Sequence, residues 1–106
     1  MLWQGELNKA KQKIARNKNF MFGILDIKGS ERVPFIYDWV WALDNNILYK
    51  AEKGGKIGFI DTLGKVVIPF LYSSIDDFDS QGIARAIKDG KYVYIDKKGV
   101  EYRYFY

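Results

Sequence analysis

Between residues 55 and 72 short apolar runs alternate with a polar tetrapeptide. Ile57, Phe59 and Ile60 come first, then Asp61-Thr62-Leu63-Gly64, then Val66, Val67 and Ile68. Runs of this length, bounded by Asp and Gly, read as two β-strands joined by a tight turn. Asp at the first turn position accepts a hydrogen bond from the backbone two residues on. Gly at the fourth takes positive φ, as a hairpin built on a type I turn and a bulge requires. Pro69 has no N–H to give and is expected to end the ladder.

The same marks recur 35 residues away in both directions. Gly23, Asp26, Gly29, Pro34, Phe35 and Tyr37 correspond to Gly58, Asp61, Gly64, Pro69, Phe70 and Tyr72. Asp96 and Gly99 repeat Asp61 and Gly64, and Gly90-Lys91 repeats Gly55-Lys56. A fixed period of this size marks a repeat architecture, in which each unit buries its apolar side against its neighbours. The chain divides into residues 1–13, a half-repeat at 14–22, repeats at 23–57 and 58–92, and a half-repeat at 93–106.

Taken in order, strands are predicted at 14–17, 20–25, 31–34, 47–52, 57–60, 65–68, 83–88, 91–96 and 100–106. Asp89-Gly90 between apolar runs is a hairpin signal. The segments 35–46 and 69–82 read as connectors. Asp38 is placed to cap a single helical turn there, with Trp39 and Leu43 on one side. Residues 1–13 fit a basic arm, a short helix or a ragged strand. The expected fold is all-β: an antiparallel, repeat-built sheet or meander of these short strands, with connectors on one side.

Composition narrows the function classes. A 48% hydrophobic, 17% aromatic chain of 106 residues can build a core as one domain. It contains neither Cys nor His, which removes thiolate chemistry and the commonest general base and metal ligand. No apolar run approaches the roughly 18 residues of a membrane span, and the N-terminus lacks the apolar core of a signal peptide. A soluble, cytoplasmic protein is expected. The net charge of +4 comes from residues 1–19, where Lys9, Lys11, Lys13, Arg16 and Lys18 face Glu6 alone; the repeat body is neutral. The overall basicity is therefore no nucleic-acid signature.

The run Gly55-Lys56-Ile57-Gly58-Phe59-Ile60-Asp61, Ile68-Pro69 and Gly82-Ile83-Ala84 resembles the WG (KWG) repeats of bacterial proteins. Their unit reads about Gly-Lys-Trp-Gly-Tyr-Ile-Asp-Lys-x-Gly-Lys-x-Val-Ile-Pro, then Tyr-Asp, then a Gly-Leu-Ala strand. Gly90 to Gly99 matches well and Phe22-Gly23 through Asp26 more loosely, so the resemblance spans about residues 14–106. The Trp that names the family is replaced by Phe22, Ile57 and Tyr92, and its Gly by Val93 in the last unit. The substitutes are large and apolar, so a core role is expected for them. The resemblance implies all-β repeats that act as a scaffold for interactions, with no reaction and no catalytic residues.

Candidate chemistry is sparse. Asp26, Asp61 and Asp96 are explained by turn geometry. Asp76, Asp77 and Asp79 form a tighter acidic cluster that lacks the spacing of a calcium loop and reads as a surface for a basic partner. No phosphate-cradling glycine loop is present, and no cofactor or metal is expected. Trp39 and Trp41, two apart, share a side on an extended backbone and suit an aromatic anchor. Tyr102, Tyr104 and Tyr106 lie on a terminal strand whose edge is open to a partner or to self-association. The resulting expectation is a non-enzymatic protein-binding chain, most concretely an immunity protein occluding a toxin domain. The alternatives are a nucleic-acid accessory protein using Lys9, Lys11, Lys13, Arg16 and Lys18, or a self-assembling repeat unit.

Overall fold

The computed structural model describes residues 2–4, 8, 10–44 and 48–102. Each turn forms as its residues dictate. Asp61 Oδ1 accepts from the amides of Leu63 and Lys65, both at 2.9 Å, and Gly64, at φ +87°, donates its amide to the Asp61 carbonyl. Asp26 and Asp96 make the same two side-chain bonds, to Lys28 and Ser30 and to Lys98 and Val100. Gly54 and Gly55 both have positive φ, as do Asp89 and Gly90. These are the two-residue hairpin turns whose twist matches that of the flanking strands.

The described residues form twelve strands in three four-stranded antiparallel sheets, each a meander. Sheet 1 holds β1 (Leu2–Gln4), β2 (Gln12–Arg16), β3 (Phe22–Asp26) and β4 (Glu31–Tyr37). Sheet 2 holds β5 (Trp39–Asp44), β6 (Leu48–Lys53), β7 (Lys56–Asp61) and β8 (Val66–Tyr72). Sheet 3 holds β9 (Ser74–Ile75), β10 (Ile83–Lys88), β11 (Lys91–Asp96) and β12 (Glu101–Tyr102). The all-β, antiparallel, 35-residue architecture is as expected. The strand count and the connectors are not.

Two corrections have physical causes, and one open alternative is decided. The segment after Tyr37 does not turn helical: it returns as β5, because Asp38 spends its carboxylate on the Gly54 amide (2.8 Å) and its own amide on the Glu52 carbonyl. Pro69 does not end its strand. β8 runs through it to Tyr72, since β8 is the edge of its sheet and the pairing with β7 shifts register there, so no partner asks for the missing N–H. Pro34 is accommodated in the same way in β4. Of the three conformations open to the N-terminal segment, Leu2–Gln4 and Gln12–Arg16 adopt the strand.

Sheet 2 is buried on both faces. One face, with Tyr49, Ala51 and Ile60, packs on Phe22, Ile24, Val33 and Tyr37 of sheet 1. The other, with Leu48, Ile57, Phe59, Ile68 and Tyr72, packs on Ile75, Ala84, Ala86, Val93 and Ile95 of sheet 3. Each Val, Leu, Ile or Phe side chain among them contributes on the order of 1.5–3 kcal/mol by leaving water. Sheets 1 and 2 thus each present a forward face to the rear face of the sheet that follows. Polar ties fasten the junctions. The Tyr72 hydroxyl donates to Glu101 Oε2 at 2.7 Å, and Lys88 Nζ reaches the same oxygen at 3.0 Å. At the other junction the Tyr49 hydroxyl donates to Gln12 Oε1 at 2.8 Å and accepts from Asn8 Nδ2 at 2.6 Å. Among the described residues no helix is long and apolar enough to cross a membrane.

Candidate interaction surface

The forward faces of sheets 1 and 2 are covered by the sheets that follow them. Among the described residues no further sheet covers that of sheet 3. Advancing 35 residues from Ile57 and Phe59, 8% and 3% exposed, gives Tyr92 and Tyr94, 65% and 37% exposed. Tyr92 therefore does not keep the core role of its counterparts Phe22 and Ile57; no described sheet follows to bury it.

Strand register sets out this face as a row of side chains. Arg85 on β10 opposes Tyr94 on β11, which opposes Tyr102 on β12. Asp76, just past β9, donates its amide to the Arg85 carbonyl, and its carboxylate meets Arg85 Nε at 3.3 Å. A second row pairs Ile87 with Tyr92. The Arg85 guanidinium lies 4.9 Å from the centre of the Tyr92 ring. The Tyr102 hydroxyl donates to Asp96 Oδ2 at 2.9 Å. Asp96 is held below the ordinary carboxyl range: its burial would raise it, but the bonds from Tyr102 and from the amides of Val100 and Lys98 outweigh that.

The acidic cluster divides. Asp76 faces this surface, and Asp77 is exposed beside it. Asp79 is a turn residue: its Oδ1 accepts from Gln81 at 2.9 Å and Ile83 at 3.0 Å, and Gly82, at φ +78°, closes the turn. It repeats Asp61 and Gly64 in a connector where turn chemistry was not expected. Among the described residues no group of three acidic side chains is placed to hold a metal ion.

Trp39 and Trp41 lie on β5, at the edge of sheet 2, and both are partly exposed. Their rings meet edge to face at 6.5 Å, Trp39 leans on Phe22 at 4.7 Å, and Lys50 Nζ lies 5.4 Å from the Trp41 ring. Trp41 and Lys50 stand one repeat before Asp76 and Arg85, so both pairs lie along the same edge of the stack. Tyr102 is on the opposite edge of sheet 3. Tyr104, Tyr106 and Lys9 lie outside the described residues.

The basic residues do not converge. Lys11 sits exposed in a turn at φ +62° and Lys18 in the turn between β2 and β3, whereas Lys13 and Arg16 are half-buried on alternate faces of β2. Arg16 stacks over Phe20, 5.1 Å from its ring centre. Arg85, Tyr92 and Tyr94 were missed as candidates, although the 35-residue period contained the signal. It maps them onto Lys50, Ile57 and Phe59, the covered face of the preceding sheet.

No curated protein and no solved structure matches the chain. The family described as "WG containing repeat" matches it twice, over residues 22–56 and 57–92. Those two stretches span most of β3 to β11 and more than half of the sequence: the chain belongs to the WG-repeat family.

Proposed function

We propose that the chain is a non-catalytic protein-binding protein, and in its most concrete form an immunity protein that acts in the cytoplasm by covering a toxin domain. One observation carries the reading: the forward face of sheet 3 is exposed, while the corresponding faces of sheets 1 and 2 are buried. Its composition suits recognition. Tyr and Arg are enriched in the few interface residues that dominate binding energy, because they offer large, rigid area with a polar tip. Asp76 and Asp77 add an acidic margin that favours a partner with a basic rim. The absence of His and Cys in the sequence agrees with a role by occlusion rather than by reaction.

The test is to capture a protein from the lysate of the chain's own source and to titrate the recovered protein calorimetrically against wild type and Arg85→Glu. A defined stoichiometry, with affinity lowered at least about tenfold in the variant, supports the reading. Unchanged affinity removes this face from the interface. A recovered protein without toxic activity eliminates the immunity version and leaves the binding one.

A further inference from the structure

We infer that one end of the stack is a binding site for single-stranded nucleic acid, formed by the tips of three hairpins. It goes beyond the reading above and shares only Arg85 and Tyr92 with the face described there.

The tips join β2 to β3, β6 to β7 and β10 to β11, over residues 16–22, 51–57 and 86–92. Hydrogen bonds hold them side by side. Tyr37 pairs with Phe22 beside the first tip, and the next residue, Asp38, accepts the Gly54 amide of the second. Tyr72 pairs with Ile57 beside the second tip, and the next residue, Ser73, donates its amide to the Ile87 carbonyl of the third. The three tips hold six basic side chains and two acidic ones. Asp26, Asp61, Asp79 and Asp96 open turns at the far end of the strands. Basic charge therefore collects on one rim, although the repeat body as a whole is neutral.

This rim is strained in the free chain. Register sets Lys53 directly opposite Lys56, and Lys88 opposite Lys91. Like charges so placed repel, and of these four only Lys88 has an ion pair among the described residues, with Glu101. Lys18, at the first tip, is exposed and has none either. Phe20 holds φ +64° in a turn like that of Asp61, with Asn17 Oδ1 accepting from Asn19 at 2.9 Å and Met21 at 3.0 Å. Glycine takes this place at Gly29, Gly64, Gly82 and Gly99, and a bulky residue there is an outlier. The Phe20 ring is nonetheless 68% exposed, and Tyr92 at the third tip is 65% exposed, the most open rings among the described residues. Each has an arginine over it, Arg16 at 5.1 Å and Arg85 at 4.9 Å. Arg16 has no acid partner among the described residues, and its Nε is buried without an acceptor. A phosphate backbone along the rim neutralises the opposed lysines. Bases stack on the open rings, which accept any base because every base has a π-face. Successive sheets about 10 Å apart put the outer tips about 20 Å from each other, room for about four nucleotides, the lower end of single-strand sites. A lipid surface matches the charge but not two rings held so far apart.

Fluorescence anisotropy of a labelled oligodeoxythymidylate, titrated with the intact chain, tests this. Wild type is expected to bind, with affinity falling about fiftyfold from about 50 to about 200 mM salt, as four neutralised phosphates require. Lys53→Gln with Lys56→Gln is expected to weaken binding at least about tenfold, and Phe20→Gly at least about fivefold. Both changes relieve strain, so circular dichroism melts are expected to place these variants at or above wild type, and their losses are not losses of fold. Absence of binding at the lower salt, or variants that bind like wild type, would overturn the inference. Binding weakened by the lysine changes but not by Phe20→Gly is attraction of charge alone and overturns the stacking site. Phosphatidylserine vesicles that bind the chain as tightly as the oligonucleotide would also overturn it, in favour of a membrane. Lys53 and Lys56 belong to sheet 2, away from the sheet 3 face, so this titration and the lysate titration succeed or fail separately.

Discussion

The Phe70 ring lies over Gly58, so close that a Cβ there would come within 3.0 Å of Phe70 Cδ1 and 2.5 Å of the Ile68 carbonyl oxygen. Gly23 and Phe35 repeat the arrangement one unit earlier, with the Val33 carbonyl oxygen at 2.7 Å. The repeat's glycine is thus a packing requirement: it lets an aromatic side chain cover the strand backbone where β8 bulges away from β7. In the last unit Val93 takes this position and turns its side chain into the core with Ile95 instead. Gly58→Ala is expected to cost about 2–4 kcal/mol, since the nearest atom is backbone and cannot yield cheaply. Urea unfolding of Gly58→Ala beside Val93→Ala, which removes side-chain bulk rather than adding it, checks this. A Gly58→Ala loss below that of Val93→Ala would contradict it.

Asp79 and Asp77 are neighbours in sequence with different work. Asp79→Ala removes two amide bonds from a turn and is expected to cost about 1 kcal/mol. Asp77→Ala is expected to stay within about 0.5 kcal/mol of wild type. Thermal melts of the two variants decide it, and equal losses would mean that the turn does not depend on the Asp79 carboxylate.

Tyr72 gives the fold a dependence on alkaline pH. Burial pushes its hydroxyl well above the ordinary tyrosine range, and the bond to the Glu101 carboxylate and that charge push it further. Burial also raises Tyr37 and Tyr49. A raised folded-state value means that the folded chain holds the proton more tightly than the unfolded chain does. The stabilisation is therefore complete below the unfolded value of about 10 and is lost as pH rises above it. Stability is expected to be level from neutral pH to about 9 and to fall beyond 10, with a shallower fall in Tyr72→Phe. Denaturant midpoints measured across this range check the sign; parallel curves for variant and wild type would exclude Tyr72 as a contributor.

The sequence was most legible where local chemistry acts alone. Asp61 and Gly64 specify their turn without help from elsewhere, and the period carried that reading to Asp26 and Asp96. β10 and β11 were read to their ends because Asp89-Gly90 fixes the turn and thereby the register. Asp38 shows the limit. Its side chain fits a helix cap as well as it fits the Gly54 amide, and only the folding of β5 back onto β6 brings that amide within reach. Nothing local distinguishes Tyr92 from Ile57 either. One is exposed and the other buried because, among the described residues, a sheet follows one and none follows the other, a difference of position in the stack rather than of side chain.

Deleting residues 1–19 distinguishes a basic arm from a structural strand. β2 lies between β1 and β3, Ile14 packs against the core shared by sheets 1 and 2, and Gln12, 6% exposed, is held at both ends of its amide. Its Nε2 donates to the Thr62 carbonyl at 2.8 Å and its Oε1 accepts from Tyr49. Truncation strips β3 of a partner and leaves the Tyr49 hydroxyl without an acceptor, which alone costs about 1–3 kcal/mol in a buried site. The truncated chain is expected to melt at least about 10 °C lower or not to fold, a shift of about 4–8 °C per kcal/mol being usual at this size. Tyr49→Phe is expected to reproduce part of that loss with every lysine and arginine in place. An unchanged melting temperature in the truncation, with loss of nucleic-acid binding instead, would return residues 1–19 to the role of a basic arm.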